Sequence, residues 1–179
     1  SVTDAMGFAT RYEYDPNGNR TLTIDEEGRS NRTEYDEMSR VKASVDATGA
    51  RTKYAYDFAG RRVSVTDPIG SVTRTEYDGL GRVVKTINAL GEEARSEWDN
   101  AGRRRAVVDS LGQRTAYGFD VMGRVTSVTD ADKKVSLTKY DLVGNRTNAV
   151  DAQGRYLAFD YDALHRMIRT RGKLNGTNY

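Results

Sequence analysis

Eight aspartates, each directly after an aromatic residue, are the side chains of this sequence with the greatest capacity for chemistry. Paired carboxylates act as general acids and bases, and groups of carboxylates bind Ca²⁺. The pairs are Tyr14-Asp15, Tyr35-Asp36, Tyr56-Asp57, Tyr77-Asp78, Trp98-Asp99, Phe119-Asp120, Tyr140-Asp141 and Tyr161-Asp162. Each pair follows the previous one at the same interval, so the carboxylates are distributed along a repeat and not gathered in one site.

The rest of the sequence offers these aspartates no partners for catalysis or metal binding. It contains 1 His and 0 Cys, which excludes a Cys–His nucleophile, a disulfide framework and a Cys-ligated zinc site. Calcium-binding β-rolls use glycine-rich nonapeptides with several adjacent ligands, whereas each turn here supplies one aspartate. We therefore predict that the chain is not an enzyme and has no catalytic residue, no metal site and no cofactor.

A glycine three residues after the aspartate gives each motif the signature of a β-turn. The aspartate accepts hydrogen bonds from the backbone N–H groups that follow it, and the glycine takes the positive φ that closes a bulged hairpin loop. These glycines are Gly18, Gly60, Gly81, Gly102, Gly123 and Gly144, and the two other repeats have Ser39 and His165. A second turn of the same kind begins ten residues after each of the first seven aspartates, from Asp25 to Asp151, with Asn88 as the first residue of one and Lys133 in place of glycine in another.

The segments between the turns are five or six residues long and rich in β-forming residues, as in Val83–Ile87. The segment before each aspartate alternates aromatic or threonine side chains with charged ones, which predicts a strand with one aromatic face and one solvated face whose Glu and Arg pair. Each repeat is thus one antiparallel β-hairpin. We predict an all-β fold of tandem 21-residue hairpins that form a curved or spiralling sheet: residues 1–11 as a lead-in or partial repeat, 12–168 as about eight copies, and 169–179 as a degenerate end or tail.

Two rows of side chains are expected along such a sheet. The aromatic rings form one row, which fixes the register because a slip of one residue would put every ring on the wrong face. The arginine four residues after the aspartate forms the other, and we expect it to contact a Tyr or Asp of an adjacent hairpin in preference to binding an anion. These arginines are Arg40, Arg61, Arg82, Arg103, Arg124 and Arg166, with Arg20 and Arg146 interpreted as copies displaced by Asn19 and Asn145.

Charge and hydropathy argue against two further classes of function. The chain has 28 Lys and Arg against 26 Asp and Glu, and the charges are interleaved, so no basic stripe for nucleic acid is formed. No segment approaches the roughly 18 apolar residues that span a bilayer, and Ser1 to Thr10 lack the regions of a signal peptide. We interpret the chain as a piece of a longer repeat protein.

The unit Tyr77-Asp78-x-x-Gly81-Arg82, followed by Asn88 and Gly91, resembles the YD repeat, or Rhs repeat, of bacterial Rhs proteins, Tc toxin B and C components and teneurins. The resemblance covers eight copies in fixed phase. It implies a strip of hairpins wound into a hollow shell, which in the toxin relatives encloses a cleaved C-terminal toxin domain and in teneurins carries cell-surface adhesion. No toxin domain and no self-cleavage motif of such proteins is recognisable here, so no aspartate is assigned that role.

We therefore predict a non-catalytic structural segment of a β-shell or scaffold that encapsulates or displays a toxin domain of a larger secreted or cell-surface protein. Its expected partners are the rest of the parent repeat protein, an enclosed toxin domain, and further copies through open sheet edges. Nucleic-acid binding and membrane insertion are not expected. The alternative is a cell-surface adhesion or carbohydrate- or protein-binding module that uses the aromatic and arginine rows.

Overall fold

The computed structural model describes the backbone of residues 2–3, 9–174 and 177–178 and the side chains of residues 9–172. These residues form two compact units, Ser1–Glu92 and Glu93–Tyr179, that are built in the same way. Across the described parts of the chain every regular element is a β-strand, and the strands are joined by tight turns. The predicted all-β architecture of antiparallel hairpins is thereby confirmed.

In each unit the strands pair antiparallel with their neighbours in chain order. The first unit contains β1 (Val2–Thr3), β2 (Ala9–Tyr14), β3 (Arg20–Ile24), β4 (Ser30–Tyr35), β5 (Val41–Val45), β6 (Arg51–Tyr56), β7 (Arg62–Thr66), β8 (Val72–Tyr77) and β9 (Val83–Ile87). The second contains β10 (Glu93–Trp98), β11 (Arg104–Val108), β12 (Arg114–Phe119), β13 (Val125–Thr129), β14 (Val135–Tyr140), β15 (Arg146–Val150), β16 (Tyr156–Tyr161), β17 (Met167–Leu174) and β18 (Thr177–Asn178).

The turns share one backbone geometry, seen at Asp57. The N–H of Asp57 donates to the carbonyl of Arg61 (3.0 Å), and the N–H of Gly60 donates to the carbonyl of Asp57 (3.0 Å). This is a type I turn followed by a residue in the left-handed region, where Gly60 has φ 81°. Where the third position is not glycine, the residue still takes that conformation: φ is 58° at Ser39, 66° at Lys133 and 60° at His165. The backbone path therefore does not depend on the glycine, although glycine adopts it with least strain.

A β-bulge follows the first turn of every repeat, and no residue type in the sequence marks its position. Beyond the pair Tyr56↔Arg62 the register shifts by one, so that Ala55 lies opposite Ser64 and Val63 is the extra residue. The same shift occurs in the other seven hairpins that begin at an aromatic-Asp pair. The turn between repeats has no such shift, as in Ser64↔Arg74 and Thr66↔Val72.

The bulge keeps equivalent residues of successive repeats on the same face of the sheet. The repeat contains an odd number of residues, whereas strand side chains alternate between the faces with a period of two. With the bulge, Arg11 lies in one row with Ile24 and Ser30, so its equivalent in the next repeat, Arg32, lies two residues beyond that row on the same face. Without it Arg11 would lie opposite Thr23 and its row would end at Asn31, one residue from Arg32, so that successive tyrosines would alternate between faces. Each repeat is also staggered by two residues along the strand, which places equivalent residues roughly 12 Å apart, farther than two strand spacings alone.

The sheet has very little core. Among the described residues, the buried hydrophobic side chains are Ala43, Ala106, Ala158 and Phe159, and none of the large side chains is fully buried. The stability of each unit must therefore come mainly from the backbone ladder, the turns and the contacts between neighbouring hairpins. No helix in these residues has the length and apolarity needed to cross a bilayer.

Candidate functional site

The predicted motif residues of each repeat lie together at its first turn. The aromatic residue ends the strand, the aspartate follows it, and the glycine, Ser39 or His165 is the third residue after the aspartate. The aromatic residues Tyr14, Tyr35, Tyr56, Tyr77, Trp98, Phe119, Tyr140 and Tyr161 end strands β2, β4, β6, β8, β10, β12, β14 and β16.

Each first-turn aspartate uses both carboxylate oxygens inside its own turn. In Asp36, Oδ1 accepts from the N–H groups of Met38 (3.0 Å) and Arg40 (2.9 Å), and Oδ2 accepts from Nε of Arg40 (2.7 Å). Asp78 is bound in the same way by Leu80 and Arg82. The carboxylate thus fixes the turn and holds the guanidinium at the same time.

These hydrogen bonds keep the aspartates ionised. The backbone N–H of Arg40, and then its guanidinium, hold the pKa of Asp36 below its ordinary value. The same causes in the same order lower the pKa of Asp57, Asp78, Asp99, Asp120 and Asp162. A carboxylate with a lowered pKa carries no proton at neutral pH, and its occupied oxygens are not placed to attack a substrate, so the arrangement does not suit general acid or nucleophilic catalysis.

In four first turns the arginine also reaches the next repeat. Nη1 of Arg61 donates to the backbone carbonyl of Asp78 (3.0 Å), and its Cζ lies 4.8 Å from the centre of the Tyr77 ring. We call this set of contacts, from the aspartate of one turn through the arginine to the ring and carbonyl of the next, the clasp. It recurs at Arg40 with Tyr56, at Arg103 with Phe119 and at Arg124 with Tyr140, with Cζ-to-ring distances of 4.7, 4.8 and 4.7 Å.

The tyrosine hydroxyl adds a second tie between repeats, in the opposite direction along the chain. Oη of Tyr56 donates to the carbonyl of Val41 (2.8 Å), the residue that begins the second strand of the preceding hairpin. Tyr35, Tyr77 and Tyr161 make the same bond to the carbonyls of Arg20, Arg62 and Arg146. The tyrosines of the aromatic row therefore connect adjacent hairpins.

Two repeats replace the clasp with a shorter link. Asn19 and Asn145 occupy the arginine position, and each donates from Nδ2 to the aspartate of its own turn. The same Nδ2 bonds to the third residue of the next turn: to Oγ of Ser39 at 2.9 Å and to Nδ1 of His165 at 3.1 Å. The interpretation of Arg20 and Arg146 as displaced copies of the arginine was wrong. They are the first residues of β3 and β15 and stack over Tyr12 and Phe159, which are not rings of the first-turn motif.

Both kinds of link end at the third position of the next first turn. A methyl group placed on Gly60, Gly81 or Gly144 would lie 3.9, 3.7 or 3.9 Å from Nη1 of Arg40, Arg61 or Arg124, so in these turns the arginine lies directly beside the glycine. Asparagine is too short to do so, and in those two places the next turn supplies a side chain, Ser39 or His165. The linked positions are equally spaced in the sequence: the interval from each such arginine to the next first-turn glycine equals the interval from each asparagine to its Ser or His. This spacing indicates a contact only once the structure shows that successive first turns are neighbours.

The opposite, charged face carries ion pairs that span three strands. Arg51 binds Glu34 with both terminal nitrogens (2.6 and 2.7 Å), and the strand between them presents Ala43, which is 1% exposed. Glu97 and Arg114 form the same bridge over Ala106, which is 0% exposed. The guanidinium hydrogen bonds lower the pKa of both glutamates. The predicted pairing of Glu with Arg is confirmed at these places.

These groups do not converge on a metal or substrate site within the described residues. No three His, Asp or Glu side chains there are close enough to hold a metal ion. An open apolar depression lies over β14 to β16, lined by Leu137, Val150 and Tyr156, and the charged residues at its rim, Asp151 and Arg155, are paired with each other. The arrangement is suited to joining hairpins.

Comparison with known proteins gives the same architecture. The family described as RHS Repeat matches the chain at residues 1–30, 35–68, 56–93, 98–135 and 140–176. The crystal structure of TcdB2-TccC3 is similar over 98% of this chain and 11% of that chain, with a TM-score of 0.69 and 18% sequence identity. The structure of TcdB2-TccC3 without its hypervariable C-terminal region matches over 97% of this chain and 13% of that chain, with a TM-score of 0.47 and 16% identity. No curated protein matches in a sequence search.

Proposed function

The chain belongs to the RHS repeat family, and on that premise we propose that it is a non-catalytic structural segment of a β-shell in a larger secreted or cell-surface protein. The shell would enclose or display a toxin domain. The likeness to TcdB2-TccC3 supports the fold, and the chain spans 11% of that neighbour's length, so it corresponds to a fraction of one wall. The expected partners are the other repeats of the parent protein and the enclosed domain.

The clasp is the observation that carries this proposal. In a binding or catalytic site some polar groups must remain free for a ligand, but here the motif residues bind one another. The carboxylate of Asp57 is taken by Arg61, the remaining nitrogen of Arg61 by the Asp78 carbonyl, and the Tyr77 hydroxyl by the Arg62 carbonyl. Because the motif residues form hydrogen bonds with the neighbouring copies of the motif, they hold adjacent hairpins together in a continuous sheet.

The same contacts weigh against the adhesion alternative. A sugar or partner protein would need an open ring face and an unpaired guanidinium, as in aromatic platforms that stack on ligands. At Tyr56, Tyr77, Phe119 and Tyr140 an arginine of the preceding repeat already lies over the ring. A ligand at those rings would have to displace a guanidinium that also holds an aspartate.

Limited proteolysis of the longer protein that contains this chain tests the shell. We expect the domain C-terminal to the repeats to resist protease in the wild-type protein and to be cut faster in Arg61→Ala, because that variant loses the clasp between two hairpins. Arg29→Ala is the matched control: Arg29 also binds a turn aspartate, Asp25, but its ion pair stays within the turn and is more exposed. Equal cleavage of that domain in the wild type and in isolation would refute the proposal.

A further inference from the structure

The single histidine of the sequence lies at the contact between two neighbouring hairpins. It is His165, the third residue after the aspartate in the turn between β16 and β17, and its Nδ1 lies 3.1 Å from Nδ2 of Asn145 in the turn between β14 and β15. The equivalent position in the other first turns is glycine or Ser39. Among the first-turn links of the described residues, this one therefore contains a group of the type that titrates near neutral pH.

The hydrogen bonds of Asn145 determine which atom of the histidine ring accepts. The same Nδ2 donates to Oδ2 of Asp141 (2.8 Å), and an ionised carboxylate can only accept, so the amide directs its N–H groups at Asp141 and at His165. Nδ1 of His165 is consequently the acceptor, and the hydrogen of the neutral ring is on Nε2. The link requires a neutral imidazole, because an imidazolium ion carries a hydrogen on both ring nitrogens.

The charged groups of the two turns offer a protonated ring another partner. Asp162, in the turn of His165 itself, attracts an imidazolium ion. The backbone N–H and guanidinium of Arg166 do more than His165 to lower the pKa of Asp162, but the charge of His165 contributes in the same direction. Asp141 is negative as well, but its Oδ2 is held by the Asn145 amide. Arg166 repels an imidazolium ion, and its own charge is balanced by the ion pair with Asp162.

The cations of the adjoining elements are held by other groups. Arg124, from the preceding first turn, donates to the carbonyl of Asp141 and lies over the ring of Tyr140. Arg146 begins β15 and lies over the ring of Phe159. Neither contact changes when an imidazole takes up a proton, so the direct effect of protonation falls on the bond between His165 and Asn145.

The first unit contains the same link without a titrating ring. Nδ2 of Asn19 donates to Oδ2 of Asp15 (2.9 Å) and to Oγ of Ser39 (2.9 Å). A serine hydroxyl accepts hydrogen bonds in acid and at neutral pH alike. The Asn19–Ser39 link is therefore a natural reference for the Asn145–His165 link, with the same donor, the same turn position and a different acceptor.

We propose that the Asn145–His165 contact is a pH-sensitive link between repeats. At about pH 8 the neutral ring accepts from Asn145 and joins the hairpin β16–β17 to the hairpin β14–β15. At about pH 5 the imidazolium ion cannot accept, so Asn145 keeps its bond to Asp141 and the ring turns toward Asp162. Because a repeat contacts only its neighbours, the change is confined to this pair of hairpins. The link is independent of what the sheet encloses, and so goes beyond the shell function proposed above.

A double-mutant cycle on the whole chain, measured at about pH 8 and about pH 5, tests the link. Asn145→Ala and His165→Gly each remove one side chain, and glycine is the common residue at this turn position. The readout is the opening constant of the β15–β16 ladder from amide hydrogen exchange, corrected for the intrinsic effect of pH on exchange. We expect the two changes to be coupled by about threefold or more at pH 8, as for a neutral hydrogen bond, and to be independent at pH 5.

The cycle of Asn19→Ala with Ser39→Gly is the matched control, measured on the β3–β4 ladder. Its coupling should be the same at both pH values, because the hydroxyl of Ser39 does not titrate in this range. In each cycle the loss of the bond from the asparagine to its own aspartate cancels, since it occurs with and without the second change. The absence of coupling between Asn145 and His165 at pH 8, or coupling of equal size at pH 8 and pH 5, would overturn the proposal.

Nuclear magnetic resonance provides a second measurement that needs no destabilised variant. As the pH falls from about 8 to about 5, the side-chain amide resonance of Asn145 should shift in step with the titration of the His165 ring, and that of Asn19 should not. His165→Ser reproduces the Asn19–Ser39 link, so the shift of the Asn145 amide should disappear in that variant. An Asn145 amide that stays constant while the ring titrates, or that shifts equally in His165→Ser, would contradict the proposal.

Discussion

At the scale of single residues, the turn aspartate is the most heavily used group in the molecule. Its Oδ1 accepts hydrogen bonds from two backbone N–H groups of the turn. Its Oδ2 binds the arginine that reaches the next hairpin, as at Asp120 with Arg124. One carboxylate thus connects a local turn to a contact between repeats. Because the aspartate makes these contacts in its charged form, the stability of the fold depends on pH.

We expect stability to fall in acid. The native pKa of the first-turn aspartates lies below the value of an unfolded chain, so protonation favours the unfolded state. Their contribution is fully present above about pH 4, the ordinary pKa of Asp, and is lost as pH falls through the native values. Urea unfolding at pH 7, 5, 4 and 3 should show a flat midpoint down to about pH 5 and a steep loss below about pH 4.

Asp57→Asn is the informative variant for this dependence. It keeps an Oδ1 acceptor for the turn, as Asn88 does naturally, but it no longer titrates. Its stability should therefore be lower at pH 7 and should depend less steeply on pH in the acid range than that of the wild type. A midpoint that stays constant down to pH 3 in the wild type would show that the aspartates do not act in this way.

At the scale of the hairpin, the left-handed third position of the turn is the point of greatest backbone constraint. Gly81 has φ 81°, where a β-branched residue is strained, so Gly81→Val should cost on the order of 1–3 kcal/mol. Gly79 lies in the same turn, outside the left-handed region, and has open space around it. Gly79→Val should thus be close to neutral, and the two denaturation midpoints together separate backbone strain from the simple loss of a glycine.

The link between adjacent turns can be exchanged as a unit. Asn19→Arg alone places a long side chain against Ser39, and Ser39→Gly alone removes the partner of Asn19, whereas the double change reproduces the Arg40–Gly60 arrangement with Tyr35 as the ring. We expect the double variant to be more stable than the sum of the single changes by on the order of 1 kcal/mol. A double-mutant cycle measured by chemical denaturation checks this, and strict additivity would show that the two positions are independent.

At the scale of the whole molecule, each unit is a chain of nearest-neighbour contacts without a central core. Ala43 and Ala106 are buried because an ion pair crosses above each of them, and not because they lie between two layers. Stability should therefore scale with the number of repeats and depend on the phase between them.

Deletion of one repeat tests that phase directly. Removing residues 58–78 joins Asp57 to Gly79 and restores a complete turn, and we expect this variant to keep its β-sheet circular dichroism and to melt cooperatively. Removing residues 58–77 instead stops one residue short of a full repeat, and that shift turns every later side chain to the opposite face. We expect the shorter deletion to unfold or aggregate, and comparable melting of the two deletions would contradict the role assigned to the bulge.

The sequence alone determined the period, the position of every first turn, the two strands of each hairpin and the family. These features rest on interactions between residues at most four positions apart, such as Asp36 with Arg40, and on side-chain alternation, so their signals are local and repeat eight times. Only the tertiary structure decided the bulge at positions such as Val63, the two-residue stagger, and the true partners of Arg20 and Asn19. Those depend on which residues face one another across strands, and a shift of one residue in register, whose position no residue type marks, changes every such contact.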